Sequence, residues 1–334
     1  MADYININGN NIPIRASDPT NPISGEVWYN STTNALKGQL VTTSGTWASA
    51  ANNLVSGGQS AGAGDTQNAA ITFSTGATPS SNASQLYDGS SWTSGPNLNN
   101  QITWAGGSGT QTAALSAAGY FYPASPPPPV GLKNFAEEYN GSSWSSVNAL
   151  NNTGYGRCSF GTQSATAAVM RADSGGTGSN EEYDGTSWTN ATALPYNAYQ
   201  GASTGSLTTG LIMGGIFAPG PTRFNNTTSY DGTNWTSETV MPDVKVGASA
   251  TGDTSQAIIW GGQGPGPAFV DTTFGYNGTS WAADATMGLG RKTSNTRSGT
   301  ATSAMTSTGE SPNTNATEEY TGAGVPTAVT FSSS

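Results

Sequence analysis

The hexapeptide Tyr-Asp-Gly-Ser-Ser-Trp at Tyr87–Trp92 returns in close variants at Tyr139–Trp144, Tyr183–Trp188, Tyr230–Trp235 and Tyr276–Trp281. Its second and third residues are always Asp-Gly or Asn-Gly. A worn sixth copy opens at Tyr320 as Tyr-Thr-Gly-Ala-Gly-Val. A period in the mid-forties is too long for leucine-rich or ankyrin repeats and suits a four-stranded propeller blade.

The interior of each unit agrees. In the fifth, Val246–Thr251, the apolar run Gln256–Gly262, Asp271–Tyr276 and Thr279–Trp281 read as four short strands bounded by Gly, Pro, Asn and Asp. The second strand recurs as Ala69–Phe73, Thr112–Leu115, Ala165–Met170 and Leu211–Gly215. No segment keeps a helical period. Asp-Gly or Asn-Gly between strand-like flanks is a hairpin signal, read here as a type I′ turn. With two or four loop residues, Tyr and Trp share one face of the hairpin, where flat rings suit blade-on-blade packing. The pairs Tyr87/Trp92, Tyr139/Trp144, Tyr183/Trp188, Tyr230/Trp235 and Tyr276/Trp281 are therefore assigned a structural role. Glycines in the innermost strand allow close approach at a crowded axis.

Composition limits the partners. Nine Trp and thirteen Tyr argue against disorder. Ten scattered Lys+Arg against twenty Asp+Glu, net charge −10, disfavour nucleic acid and anionic membranes. No apolar run reaches the length of a membrane span, and the start of the sequence shows no secretory signal. The single Cys158 has no internal disulfide partner. The Asn-x-Ser/Thr sequons are by-products of an Asn/Ser/Thr-rich composition.

A Gly-Gly doublet closing the second strand, a Tyr in the third and a Trp in the fourth make each unit resemble a kelch repeat, from about Ala51 to Phe331. The doublet is intact at Gly214-Gly215 and Gly261-Gly262 and worn at Ala118-Gly119 and Arg171-Ala172. The expected fold is all-β: a six-bladed kelch-like β-propeller of four-stranded antiparallel blades, preceded by a short N-terminal β arm. Residues 51–331 form the propeller, its repeats ending near Trp92, Trp144, Trp188, Trp235, Trp281 and Phe331. Thr327–Phe331 is assigned as the last outer strand, with closure by N-terminal strands as the alternative.

Residues 1–50 stand outside the repeat. Tyr4–Ile7, Asn8-Gly9 and Ile12–Ile14 read as a hairpin within an attachment arm, residues 1–24. Residues 25–50 carry Gly25, Val27, Trp28, Tyr29, Asn30, Leu36, Lys37 and Trp47. That pattern resembles a module of bacteriophage tail-fibre and other virion proteins. The repeats themselves resemble those of tailed phages of aquatic bacteria. The resemblance implies a virion exterior location on tail or capsid, attachment to other virion proteins through the N-terminal arm, and a homo-oligomer within the particle.

With no histidine, a Ser-His-Asp triad or Cys/His dyad is excluded. The copper site of galactose oxidase, which shares kelch-type blades, does not carry over. In the hairpins Asp is followed directly by Gly, off by one from the sialidase Asp-box. The carboxylate pairs Glu137-Glu138, Glu181-Glu182 and Glu318-Glu319 are the remaining acid/base candidates. Strand neighbours point to opposite faces, so they are read as a solvated outer strand. Cys158 reads as a small buried residue. A Ca²⁺ site using Asp253 or Asp271 lacks an Asp-x-Asp-x-Asp loop. No catalytic residue, metal or cofactor is assigned.

Strand alternation puts the loop between second and third strands on the same face as the connection to the next blade. Those loops carry prolines and aromatics, and Tyr120, Phe121, Tyr122, Phe135, Phe217, Arg223, Phe224 and Phe269 are the candidate partner- or glycan-binding residues. The reading is a non-enzymatic virion protein, a tail fibre or appendage contacting the host surface or neighbouring virion proteins. The alternatives are a capsid-decorating or tail-adaptor protein, and a carbohydrate-active enzyme using Glu or Asp.

Overall fold

The computed structural model describes residues 12–19, 26–40, 44–75, 79–123, 131–154, 158–163, 166–170, 180–196, 199–217, 222–293, 298–310, 312–322 and 327–331. Among them every regular element is a strand. The chain divides into two compact units, Trp47–Tyr320 and Met1–Thr46 with Thr321–Ser334. Tyr4–Ile7, Gly25, the run Pro126–Pro129 and Arg171-Ala172 lie outside the described residues.

The larger unit holds six four-stranded antiparallel sheets. Blade five is typical: Ser249–Gly252, Ala257–Trp260, Thr273–Tyr276 and Trp281–Asp284 run from inner to outer edge. The six inner strands are Ala61–Thr66, Gly106–Gly109, Cys158–Gln163, Ala202–Thr204, Ser249–Gly252 and Ser298–Thr300. Each contacts the next, and the last contacts the first. That closed cycle makes the unit a six-bladed β-propeller.

Closure follows the alternative raised on the sequence, an N-terminal strand, and not the first assignment of Thr327–Phe331. The outer strand of blade six is Thr46–Ala50, from before the first repeat. Thr327–Phe331 pairs instead with Ala35–Leu40 in the smaller unit. The reason lies in the worn copy at Tyr320: it lacks the Trp that its hairpin partner strand should carry. Trp47 supplies that ring, 5.2 Å from Tyr320.

The repeated hexapeptide is the clamp between blades. Tyr and Trp are directly paired across third and outer strands in all five copies. Their ring centroids lie 4.9, 5.2, 4.8, 4.6 and 4.9 Å apart, with planes within 31–32° of one another. Each such pair adds about 0.5–1.5 kcal/mol beyond the area it buries. The polar tips reach the preceding blade. The indole N–H groups of Trp92, Trp188, Trp235 and Trp281 donate to the carbonyls of Ala51, Asn148, Thr192 and Thr239. The hydroxyl of Tyr87 donates to Glu319, that of Tyr230 to Glu182 and that of Tyr320 to Asp284.

The hairpin turns are tight, but not of type I′. Only the glycine has positive φ, 89° at Gly89 and 96° at Gly232. Asp88 N–H donates to Ser91 O, while its Oδ1 accepts from the amides of Ser90 and Ser91. The side chain thus caps a four-residue loop, and Asn140, Asp184, Asp231 and Asn277 do the same.

The kelch-like doublets keep their backbone even where the glycine is lost. Gly214 and Gly261 have φ of 65° and 64°; Ser74, Ala118 and Thr308 take the same place at 56°, 52° and 59°. The left-handed residue turns the end of the second strand toward the next blade, where Gly214 approaches Lys245 O so closely that a Cβ would lie 2.3 Å away.

In the smaller unit, Ile14–Arg15 pairs in parallel with Tyr29–Asn30, and Val27–Asn30 pairs with Ala35–Leu40. Asp18 ties the phage-like motif together. Its Oδ1 accepts from the buried Trp28 indole (3.0 Å) and from Asn30 (2.7 Å), and its Oδ2 from Lys37 (2.6 Å). Residues 14–18 therefore belong with 27–40 and 327–331 in one sheet-and-turn cluster, and the boundary drawn at residue 24 falls inside it.

Candidate binding face

At one end of the propeller, the chain entering each inner strand pairs with the extension of the second strand. Thr103 exchanges two backbone hydrogen bonds with Tyr120 (2.9 and 2.8 Å), and Tyr199, Val246 and Lys292 pair likewise with Ile216, Gln263 and Glu310. This brings the blade-to-blade connections together with the loops between second and third strands.

A second backbone circuit runs through this end. Trp104 N–H donates to Gln59 O (3.0 Å), Gly247 N–H to Gln200 O (2.7 Å), and Thr293 N–H to Gly247 O (3.0 Å). Gln59, Trp104, Gln200 and Gly247 each stand two residues before an inner strand. Gln59, Trp104, Gln200 and Gly247 all have positive φ: 66°, 53°, 58° and 66°. Glycine is the natural occupant of such a position. Holding a bulky side chain there costs of order 1 kcal/mol or more.

Trp104 is half-buried. Its ring lies 6.2 Å from Tyr120 and 6.3 Å from Tyr122, both edge-on, and the two tyrosines lie 4.4 Å apart. Blade two carries them on an unusually long hairpin, Ala114–Phe121 with Gly131–Tyr139. Bulges at Ala117–Gly119 re-aim its tip. Sequence reasoning named Tyr120 and Tyr122 and missed Trp104. The available signal was a Trp outside the hexapeptide, at the place where other blades carry Gln or Gly.

The remaining candidates separate into smaller groups. Phe121 and Phe135 flank the Lys133 ammonium, at 5.6 and 5.9 Å. Phe224 packs 5.2 Å from Tyr196. Arg223 is spent on structure: its Nη1 donates to Gly264 O and Gly266 O, both at 2.6 Å, pinning the loops of blades four and five together. Phe217 is exposed and Phe269 half-buried.

The carboxylate pairs are corrected by the structure. The first member of each is buried: Glu137 1%, Glu181 0% and Glu318 3% exposed. Glu137 accepts from the backbone amides of Asn99 and Asn100 and from the Asn100 side chain, and Glu181 does the same with Asn151 and Asn152. Glu318 accepts from Gly288 N–H and from Arg291, in an ion pair 0% and 5% exposed at its two side chains. A buried carboxylate is held where several donors converge, and here the donors are the connections between blades. The second members point the other way, as strand alternation requires, and Glu182 and Glu319 accept from tyrosine hydroxyls. Hydrogen bonds from backbone or tyrosine groups thus occupy these carboxylates. Desolvation and the neighbouring carboxylate push the Tyr87, Tyr183 and Tyr230 hydroxyls well above the ordinary tyrosine range, so they stay donors. Cys158 is buried, its thiol donating to Gly201 O.

No protein-family model and no curated protein matches the chain. Among solved structures, YjhT is similar in fold: TM-score 0.64 at 14% identity, covering 80% of this chain and 95% of that one. At that identity the likeness concerns the fold alone.

Proposed function

We propose that this chain is a non-enzymatic virion protein of a tailed phage, a tail fibre or appendage whose propeller binds a surface carbohydrate or protein of the host. The carrying observation is the aromatic cluster in which Trp104 meets Tyr120 and Tyr122 at this end of the propeller. Clustered aromatic faces suit sugar rings or an apolar protein contact. The resemblance of residues 25–47 to a virion module supports the setting. The commitment of Glu137, Glu181 and Glu318 to backbone amides supports binding over catalysis.

The test is adsorption of the purified chain to host cells and to an array of their surface glycans. Wild type is expected to bind, with Trp104→Ala and Tyr122→Ala each reducing binding at least tenfold, the size expected when one stacking anchor is lost. Release of reducing sugar from a surface polysaccharide, abolished by Glu138→Gln, would overturn the non-enzymatic reading.

A further inference from the structure

One place before its tyrosine, each third strand carries a residue on the side of the following blade. Glu319 there accepts from the Tyr87 hydroxyl (2.6 Å), Glu138 from Tyr183 and Glu182 from Tyr230. Where Gly275 holds that place, Asp284 of the same blade accepts from Tyr320 instead. Where Ser229 holds it, the serine donates to Glu238 (2.7 Å), and burial and then the Glu238 charge raise the Tyr276 hydroxyl. Between blades one and two the place holds Leu86. The tyrosine facing it, Tyr139, is 3% exposed, and burial alone shifts its hydroxyl upward, with no carboxylate to receive it. Among the described residues that hydroxyl has no hydrogen-bond partner.

At this seam lies a notch of about 240 Å³, lined by Leu86, Asp88 and Thr93 of blade one and by Gln111 and Tyr139 of blade two. It sits at the hairpin end of the blades, away from the loops that carry Tyr120 and Tyr122. The volume is below the roughly 300–1,000 Å³ of drug-sized sites, so one small ring fits. Asp88 is already engaged: Oδ1 accepts from the amides of Ser90 and Ser91, and Oδ2 from the Ser91 hydroxyl. Gln111 spends both amide hydrogens on Ala70 O (3.1 Å) and Tyr87 O (2.6 Å), which leaves its Oε1 as an acceptor.

No Lys or Arg lines the notch, so an anionic ligand finds no opposite charge, and the one carboxylate is committed to its own turn. What faces a ligand is an aliphatic side chain, a phenol hydroxyl, an amide oxygen and the Thr93 hydroxyl. That mixture suits an uncharged ring with an apolar face and several hydroxyls. We propose that the notch between blades one and two binds one neutral sugar ring, with Leu86 against its apolar face and with the Tyr139 hydroxyl and Gln111 Oε1 on its hydroxyl groups. It is a second site, separate from the Trp104 cluster, and does not rest on what that cluster binds. A ligand of about a dozen non-hydrogen atoms reaches roughly millimolar affinity at ordinary efficiency.

The test is saturation-transfer NMR of the full chain with the methyl glycosides of glucose, galactose, mannose and N-acetylglucosamine, and with methyl glucuronide as the charged comparison. Transfer to at least one neutral glycoside, and not to the glucuronide, is expected. Leu86→Glu is the informative variant, because it offers Tyr139 the carboxylate that Glu319 offers Tyr87. It should raise Tm and abolish binding together, a combination that unfolding does not produce. Tyr139→Phe, which removes only the hydroxyl, should weaken binding roughly three- to tenfold. Tyr122→Ala, at the other end of the blades, should leave it unchanged, which separates a failure here from a failure of the host-binding reading. No transfer up to about 10 mM glycoside, well past the expected range, overturns the inference. So does binding that survives Leu86→Glu, binding undiminished in Tyr139→Phe, or equal binding of the glucuronide.

Discussion

Trp47 and Tyr320 meet ring to ring, centroids 5.2 Å apart with planes at 46°, although they stand at opposite ends of the propeller's sequence. The Trp47 indole also donates to Thr273 of blade five (3.0 Å) and packs edge-on against Trp260 at 5.4 Å. In the other blades Tyr and Trp are joined by a tight turn, so their pairing is local. Here it is the ring closure itself.

Trp47→Ala should therefore destabilise the propeller by about 3–5 kcal/mol, as expected for an aromatic removed from a packed site. It should cost no less than Trp188→Ala, although Trp47 lies beyond the repeat. Urea unfolding followed by tryptophan fluorescence checks this. A change under about 1 kcal/mol would mean that blade six closes without it.

The inner strands are stitched by hydroxyls. Ser159 Oγ donates to Gly107 O (2.8 Å), Ser203 Oγ to Ser159 O (2.7 Å), and Ser298 Oγ to Thr66 O of blade one. Thr204 and Thr251 complete the links from blades four to five and five to six. Between blades one and two the backbones meet directly, where a Cβ on Gly107 would lie 2.6 Å from Gly62 O. Ser203→Ala leaves Ser159 N–H without its partner and should cost about 1–3 kcal/mol. Gly252→Ala, strained in both φ and space, should cost at least as much. Thermal denaturation orders both against wild type; equal Tm values would refute the stitching.

Glu181→Ala should destabilise by about 3 kcal/mol or more, since it strands the amides of Asn151 and Asn152 inside the protein. Glu181→Gln should recover part of that loss, because the amide oxygen still accepts. Denaturant midpoints of the two variants provide the comparison. Equal midpoints would show that the carboxylate is not what holds the connection.

Acid sensitivity should concentrate in the hairpins. Hydrogen bonds from Ser91, Ser187 and Asn234 amides hold the Asp88, Asp184 and Asp231 carboxyls below the ordinary carboxylate range. Lys37 chiefly, with Asn30 and Trp28, lowers Asp18 to about 2. A depressed carboxyl pKa contributes stability above the unfolded value of 3.8, and loses it as pH falls through the folded value. Stability should fall below pH 3.8, and the triple variant Asp88→Asn/Asp184→Asn/Asp231→Asn should flatten that slope. Midpoints of urea unfolding between about pH 5 and pH 2 measure it, the window in which a native carboxylate with lowered pKa loses its contribution.

The repeat was legible because its residues act locally. Tyr, Asp-Gly and Trp set a turn and a cross-strand pair within six positions, so spacing alone gave strands, blades and their number. The aromatic tyrosines at 120 and 122 were visible for the same reason: they sit in an insertion that breaks the period. The Glu pairs were misread because a carboxylate next to Tyr looks the same in sequence whether water or backbone amides surround it. Alternation placed the two members on opposite faces; burial of Glu137 and Glu181 depends on a connection arriving from another blade.

Amino-acid order by itself thus determined what each blade is, through turn chemistry and the two-residue period of a strand. Tertiary structure decided what joins the blades: Thr46–Ala50 as the last outer strand, Asp18 under Trp28, Trp104 beside Tyr120 and Tyr122, and the hydroxyl links around the axis. Those relationships are set by which surfaces meet when the ring closes, and contacts between distant segments leave no period in the chain to read.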